Sequence, residues 1–430
     1  MSFQTQALLI LTSLNLLDYL DRYLIASLGS LVKQEFHLND KAFGFLGTAF
    51  FLVYLLSSPI FGYLGDRYGR LKLMAGGAML WSLATSATFW VTSYPALVLT
   101  RGLVGVGEAS YGTIAPAYLA DILPLNQRSQ ALGVFYLAIP LGSALAYLAG
   151  GFIGGHWGWR YAFFLGGIPG LLLAVTINRL HSHAGPSPHP NCQILDAPTN
   201  YAQTPPPFFN GPRLPVPGSV FCHTARNLWR IPTLRHVTLG YGMLTFTLGG
   251  LAFWMPRYLE TAKGLTLAQA NYLLFGSVTL AGGLGTLVGG YLGSRLLSLT
   301  PRAPLWVSGL GALLSLPLAA LAIFATTPGL YITGLAGAVF LLFLNPGVLT
   351  AVIVSVAGPA RRAQAVALNI IVIHLVGDVP SPFLIGWASD LWSLQTGVSL
   401  TLLALLAGGT LLLSGLPHLV RDLEQAGERL

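Results

Sequence analysis

Apolar residues run through this chain in blocks of about 20, the length at which a helix crosses the hydrocarbon of a bilayer. Polar clusters separate the blocks. Twelve spans follow, near 7–32, 42–64, 72–93, 96–119, 129–153 and 161–178, then 236–256, 267–293, 304–325, 329–357, 363–388 and 396–417. The first block contains acids and no preceding basic residue, so it reads as a retained helix and not as a cleaved leader. One stretch breaks the rhythm. Residues 179–235 carry GPSPHP and PPPFFNGPRLPVPG, whose prolines exclude a long helix. The expected organisation is an N-terminal six-helix half over 1–178, a Pro-rich linker over 179–235, a C-terminal six-helix half over 236–418 and a tail over 419–430. The fold class is all-α, a twelve-helix membrane protein.

Composition agrees with the pattern. Only 8% of the 430 residues are charged and 54% are hydrophobic, where a soluble domain carries about 25% charged residues. The 51 glycines suit close helix packing in lipid. Lys and Arg set the orientation. With the N-terminus cytoplasmic, fifteen of the 22 fall inside and five outside, and Arg22 and Arg101 lie within spans. Both termini are therefore expected in the cytoplasm, with the chain a monomer in the inner (plasma) membrane. The net charge of +8 reflects topology and does not imply nucleic acid. Cys192 and Cys222 make no disulfide framework. His181, His183, His189 and Cys192 have no spacing of a known metal site, so no metal and no cofactor is expected.

The chain also repeats itself. GYLGDR at Gly62–Arg67 returns as GYLGSR at Gly290–Arg295, each after the second span of its half. Arg128-Ser-Gln-Ala returns as Arg362-Ala-Gln-Ala at the start of each fifth span. Two echoes in the same order point to duplication. Parallel halves with a substrate site between them are a known transporter plan.

Ionisable groups inside spans are costly, about 2.5–3.5 kcal/mol each at the helix centre on insertion scales, and mark function. This chain places six there, Asp18, Asp21, Arg22, Arg101, Glu108 and Asp378, with His374 titratable beside them. Asp18, Asp21 and Arg22 are spaced to share one face of the first helix. Arg101 and Glu108 are two turns apart on the fourth. Opposite running directions bring Asp21, Arg22 and Arg101 to similar depth, with Glu108 nearer the middle. Four acids oppose two bases. Protonation of an acid, or binding of a cation, would correct the excess, and that imbalance is the argument for proton coupling through Glu108, Asp21 and Asp18. The plainer alternative is a set of static pairs that fix helix packing. Asp378, four residues after His374, is placed to hydrogen-bond it.

The loop GYLGDRYGRLK, Gly62–Lys72, joins the second and third spans. Gly62, Gly65 and Gly69 permit a tight turn, Asp66 can face the positive end of a helix, and Arg67 and Arg70 satisfy the inside bias. Asp66, Arg67, Arg70 and Asp378 are the expected gating residues. Pro140 with Gly142, and Asn345-Pro346, are helix breakers of the kind tolerated where backbone lines a cavity. Arg101, Arg22, Tyr136, Tyr147, Trp254, Asn345 and His374 are the candidate substrate-binding residues, with ordinary packing the alternative for each aromatic.

The string GYLGDRYGRLK resembles the loop signature of the major facilitator superfamily, and RGLVGVG at Arg101–Gly107 resembles its fourth-helix motif. NLLDYLDRY (Asn15–Tyr23), RGLVGVGEASYGTIAPAYLAD (Arg101–Asp121), FYLAIPLGSALAYLAG (Phe135–Gly150), LTFTLGGLAFWMPRYL (Leu244–Leu259) and IHLVGDVPSPFLIGWASD (Ile373–Asp390) together resemble the Spinster family. The resemblance implies a proton-linked or facilitative transporter of lysophospholipids or sphingosine phosphate. It matches Asp21–Arg22 to the family's helix-1 pair, Arg101–Glu108 to its helix-4 pair and His374–Asp378 to its helix-11 pair. Asp18 departs, since the family usually has Asn there. Ser294 replaces the acid of the second loop motif, and IPLGS only partly matches the antiporter motif of the fifth helix.

The expected function is secondary transport of an amphipathic, anionic, lipid-like solute by alternating access, coupled to protons. Arg101 would meet the head group. The alternative is a transporter of small organic anions or drugs with the same fold. An enzyme is not expected, because no HExxH, GxSxG or comparable string appears.

Overall fold

The computed structural model describes residues 3–123, 125–183, 225–297, 300–358 and 361–427. Among these residues the chain is helical and contains no strand. The first span is broken: α1 (Phe3–Ser27) gives way at Leu28 to α2 (Gly29–Phe36). Then come α3 (Asp40–Tyr68), α4 (Arg70–Ala87), α5 (Tyr94–Ile122), α6 (Leu125–Ala149) and α7 (Trp159–His183). The second half holds α8 (Pro232–Lys263), α9 (Leu267–Ser277), α10 (Gly283–Leu297), α11 (Ala303–Phe324), α12 (Pro328–Phe343), α13 (Asn345–Ala357), α14 (Arg362–Ile373), α15 (Pro380–Leu391) and α16 (Leu394–Ser414). A short α17 (Leu416–Gln425) follows. The pairs α9–α10, α12–α13 and α14–α15 each form one span, which gives twelve.

The caps are local and legible. The Asn39 side chain accepts from the Ala42 N–H at the start of α3. Thr266 and Gln269 form a reciprocal capping box on α9. Proline opens α5, α8, α11, α12, α13 and α15, where its missing N–H costs nothing. Among the described residues, nine spans are long and apolar enough to cross a membrane on composition alone. The others contain α1, α4 and α5. The charges in α1 and α5 that make the site also lower their apolarity.

Three buried apolar clusters organise the bundle. One lies within the first half, around Met74, Trp81, Tyr111 and Phe135. One lies within the second, around Leu234, Leu305, Ile353 and Leu405. The third joins Phe43, Tyr147 and Phe163 to Phe253, Trp254 and Tyr258, and so seals the halves together at the end where α3 begins.

Several expectations are corrected here. Gly62 and Gly65 are not turn residues; α3 stays helical to Tyr68, and their faces pack against Thr113 and Ile114 of α5. Only Gly69, at φ +91°, makes the turn. Pro140 and Gly142 do not break α6, which is continuous there, and Gly142 packs against the Leu16 carbonyl. At Asn345-Pro346 the helix does break, between α12 and α13, and further irregular backbone lies in π turns at Gly150–Gly154, Val278–Gly282 and His374–Asp378. Helix also occupies both edges of the segment 179–235, to His183 and again from Pro232. Residues 184–224, with His189, Cys192 and Cys222, lie outside the described residues. The tail is not loose: α17 buries Leu419, Asp422 and Leu423, and Asp422 accepts the Thr233 N–H at 2.9 Å.

Candidate functional site

Five charged side chains expected from sequence are buried together in the first half: Asp18, Asp21, Arg22, Arg101 and Glu108, the last 0% exposed. Their pairing differs from the expected one. Arg22 does not pair with its neighbour Asp21. It reaches across to α5, where its Nε and Nη2 donate to Glu108 Oε2 at 3.2 and 2.9 Å. The same Nη2 donates to Asp18 Oδ2 at 2.9 Å, one turn back on α1. Asp18 and Arg22 are four residues apart and share a face. Asp21 is turned away, toward α4, where Thr85 donates to its Oδ2 at 3.2 Å.

Arg101 is equally displaced from expectation. It is 1% exposed, and its two terminal nitrogens donate at 3.4 Å to the backbone carbonyls of Asp21 and Arg22. It lies over the Phe50 ring at 5.1 Å. A guanidinium held this way fixes the backbone of α1 and is not presented to a cargo. Glycines of the RGLVGVG string explain how α5 comes so close. A Cβ on Gly105 would stand 2.7 Å from the Phe50 carbonyl, and one on Gly107 would stand 2.7 Å from the Gly77 carbonyl.

The second half answers with one polar pair. His374 Nδ1 lies 2.7 Å from Asp378 Oδ2, and both sit in the π turn between α14 and α15. Two rings of α3 contact both His374 and Arg22. The Arg22 guanidinium carbon is 5.2 Å from the Tyr54 ring centroid and 6.0 Å from that of Phe51. His374 in turn stacks on Phe51 at 6.3 Å and meets Tyr54 edge-on at 5.8 Å. Tyr19 adds a further ring 4.4 Å from Arg22. Each such contact is worth roughly 0.5–2 kcal/mol, more where water is excluded. Sequence reading missed Tyr19, Phe51, Tyr54 and Thr85. The period of α1 and α3 could have placed the two tyrosines on the faces of the charges, but aromatic side chains are too common in spans to stand out.

The remaining candidates divide. Tyr136 is 47% exposed and lies within electrostatic range of Tyr19 and, from the other half, Tyr241. It fits a lining role. Tyr147, Trp254 and Asn345 do not. Tyr147 is buried and donates to the Ala252 carbonyl at 2.8 Å, tying the halves together. Trp254 is buried between Phe43 and Phe253 and donates to the Pro382 carbonyl at 3.0 Å. Asn345 is buried and bonds back to the carbonyls of Leu341 and Leu342 at 3.1 Å, healing the helix end before Pro346. Arg70 opens α4, directly after the turn at Gly69. The side chains of Asp66 and Arg67 lie outside the described residues.

A charged knot inside a twelve-helix bundle, facing a polar pair across the seam of two halves, is the architecture of a secondary transporter. The family model of the Major Facilitator Superfamily matches residues 11–379. The chain belongs to that superfamily. Within it the chain is a Spinster-family member: it is 34% identical over 402 residues to protein spinster homolog 1 of Homo sapiens, covering 89% of this chain and 72% of the relative. It is 34% identical over 398 residues to the sphingosine-1-phosphate transporter SPNS2 of Xenopus tropicalis, covering 88% of this chain and 72% of that one. A solved bacterial homologue of the human lysosomal transporter spinster, inward-facing and unoccupied, superimposes with a TM-score of 0.79 at 20% identity, covering 98% of each chain. A D-xylose–proton symporter shares the fold at a TM-score of 0.71 and 16% identity. This Spinster-family chain is thus an integral membrane transporter and not an enzyme, and its two six-helix halves are those of the major facilitator fold.

Proposed function

We propose that this transporter moves an amphipathic, lipid-like solute of the lysophospholipid or sphingosine-phosphate type by alternating access, driven by protons. The observation that carries the reading is Arg22, buried between the carboxylates of two helices and sharing two aromatic rings with His374 of the other half. A charge arrangement that spans the seam changes when the halves rock, so its proton affinity changes with it. The name of one relative, a sphingosine-1-phosphate transporter, supports the cargo class. Glu108 is the leading proton carrier; Asp21, held on the α4 side by Thr85, is the second. The head group is taken by Tyr136 and His374, with Arg22 released to it when the acids protonate. Segments 1–178 and 236–418 are the moving halves, 179–235 connects them, and both termini face the cytoplasm of a cell whose plasma membrane holds the chain as a monomer.

The test is uptake into proteoliposomes, with and without an imposed pH gradient, of a fluorescent lysophospholipid, sphingosine phosphate and a small organic anion. Gradient-driven accumulation of either lipid and not of the small anion is the expected result. Accumulation of the small anion alone replaces the cargo class with the alternative. Glu108→Gln should keep counterflow while losing accumulation; a variant that still concentrates cargo as wild type does removes Glu108 from the coupling role.

A further inference from the structure

We propose that Asp18 and Glu108 hold one proton between them, as a carboxyl–carboxylate dyad braced by Arg22, and that this dyad is the unit that exchanges the coupling proton. The proposal rests on the proton-coupled reading above and replaces its single carrier by a pair. One nitrogen, Arg22 Nη2, lies 2.9 Å from Asp18 Oδ2 and 2.9 Å from Glu108 Oε2. The two carboxyls thus meet at one guanidinium nitrogen. Their other oxygens, Asp18 Oδ1 and Glu108 Oε1, are buried with no hydrogen-bond partner among the described residues.

Charge balance then decides the protonation state. Asp21 faces Thr85, and Arg101 lies close enough to offset its charge. Across the buried cluster three acids, Asp18, Asp21 and Glu108, face two cations, Arg22 and Arg101, at 0–8% exposure, so one proton makes it neutral. An uncompensated buried charge costs several kcal/mol, and two carboxylates drawn to one guanidinium nitrogen avoid it by sharing a proton. A dyad with one proton and Arg22 is neutral.

Besides Arg22 and Arg101, no neighbour among the described residues supplies a fixed cation. The titratable groups facing the site from α1 are Asp21, Tyr19 and Tyr23. From α5 they are Arg101 and Tyr111, from α3 Tyr54, and from α6 Tyr136. The other half contributes Tyr241 from α8 and the His374–Asp378 pair. The phenols are neutral, and His374 is engaged by Asp378. The proton passes from one carboxyl oxygen to water on the open side and returns from the other side, with no other bond made or broken.

Asp18→Asn removes one acid at constant shape and leaves Glu108 alone beside Arg22. The remaining carboxyl no longer has an anion favouring its proton, so the midpoint of the pH dependence of transport should fall by about one to three pH units. Infrared difference spectra of the reconstituted protein should show a protonated-carboxyl band in wild type. Asp18→Asn and Glu108→Gln should each abolish it, while Asp21→Asn should keep it. Should Asp18→Asn fold poorly, Asp18→Ser makes the same test, and the spectrum of Glu108→Gln stands by itself. If the Asp18 variants keep the wild-type midpoint and band while Glu108→Gln loses both, the proton belongs to Glu108 alone and the dyad is overturned. If wild type shows neither a pH dependence nor the band, proton coupling itself fails.

Discussion

At the scale of single residues, the site is defined by which partner each charge chose. Arg101 was the natural candidate for an anionic head group, because its planar fork suits phosphate. Its nitrogens instead hold the backbone of α1 at Asp21 and Arg22. Arg101→Ala should therefore weaken lysophospholipid and neutral-amphiphile transport alike and lower the thermal midpoint of the purified protein, since removing one member of a buried charged network costs about 3–5 kcal/mol. A selective loss for the anionic cargo, at unchanged thermal stability, would restore the head-group role. The five buried charges were legible in the sequence because an ion in an apolar span has no ordinary reason to be there. Their pairing was not legible. Helical spacing puts Asp18 and Arg22 on one face, but it cannot say that Glu108 comes from α5 to meet them or that Asp21 turns to Thr85.

At the scale of elements, the glycines of RGLVGVG set the distance between α5 and its neighbours. A side chain at Gly107 would meet the Gly77 carbonyl and the Trp81 backbone of α4 at 2.7 Å. Overpacking of this kind costs roughly 1–3 kcal/mol and often more. Gly107→Val should push α5 off α4, carry Glu108 away from Arg22 and abolish transport, with a lower thermal midpoint read by fluorescence unfolding; full activity would mean that the crossing is loose. All twelve spans were readable in the sequence, nine of them on length and apolarity alone, but their ends drift: α8 runs on to Lys263, well past the expected 256. The break in α1 at Leu28 was not readable, since the Gly29-Ser30 pair beside it is a weak signal among 51 glycines. It depends on tertiary partners: Asn271 of α9 donates to the freed Ser27 carbonyl at 2.9 Å, and Gly150, in the π turn after α6, packs against Ser27. The three π turns escaped for a related reason, because proline and asparagine advertise irregular backbone and a π turn needs neither.

At the scale of the whole molecule, the halves are fastened at the end where α3 begins. Asp390 of α15 accepts the N–H groups of Asp40 and Lys41 at 2.8 Å each, capping a helix of the opposite half. The Asp40 carboxylate in turn holds Lys33, Ser389 and, at 3.2 Å, Arg257. Hydrogen bonds to charged groups contribute about 1.5–3 kcal/mol each, enough to bias two packings that are nearly balanced. Asp390→Asn should shift the population toward separation of this end by roughly tenfold for each 1.4 kcal/mol lost. Spin labels at Thr92→Cys and Gln395→Cys, with Cys192 and Cys222 replaced by Ser, would report it as a longer distance; an unchanged distribution would mean that the fastening does not control opening. The Phe51 and Tyr54 rings have a consequence of another kind. They contact both Arg22 and His374, and the apolar face of an aromatic ring does not relay protons as a file of water does. If the proposed proton coupling holds, the carrier must not short-circuit the gradient that drives it, and these rings would be its insulation. With Phe51 and Tyr54 both replaced by Ala, cargo-free vesicles should dissipate an imposed pH gradient faster than wild type, as followed by an entrapped pH dye, even where cargo-driven uptake survives. Equal leak rates would place the insulating barrier elsewhere along the seam.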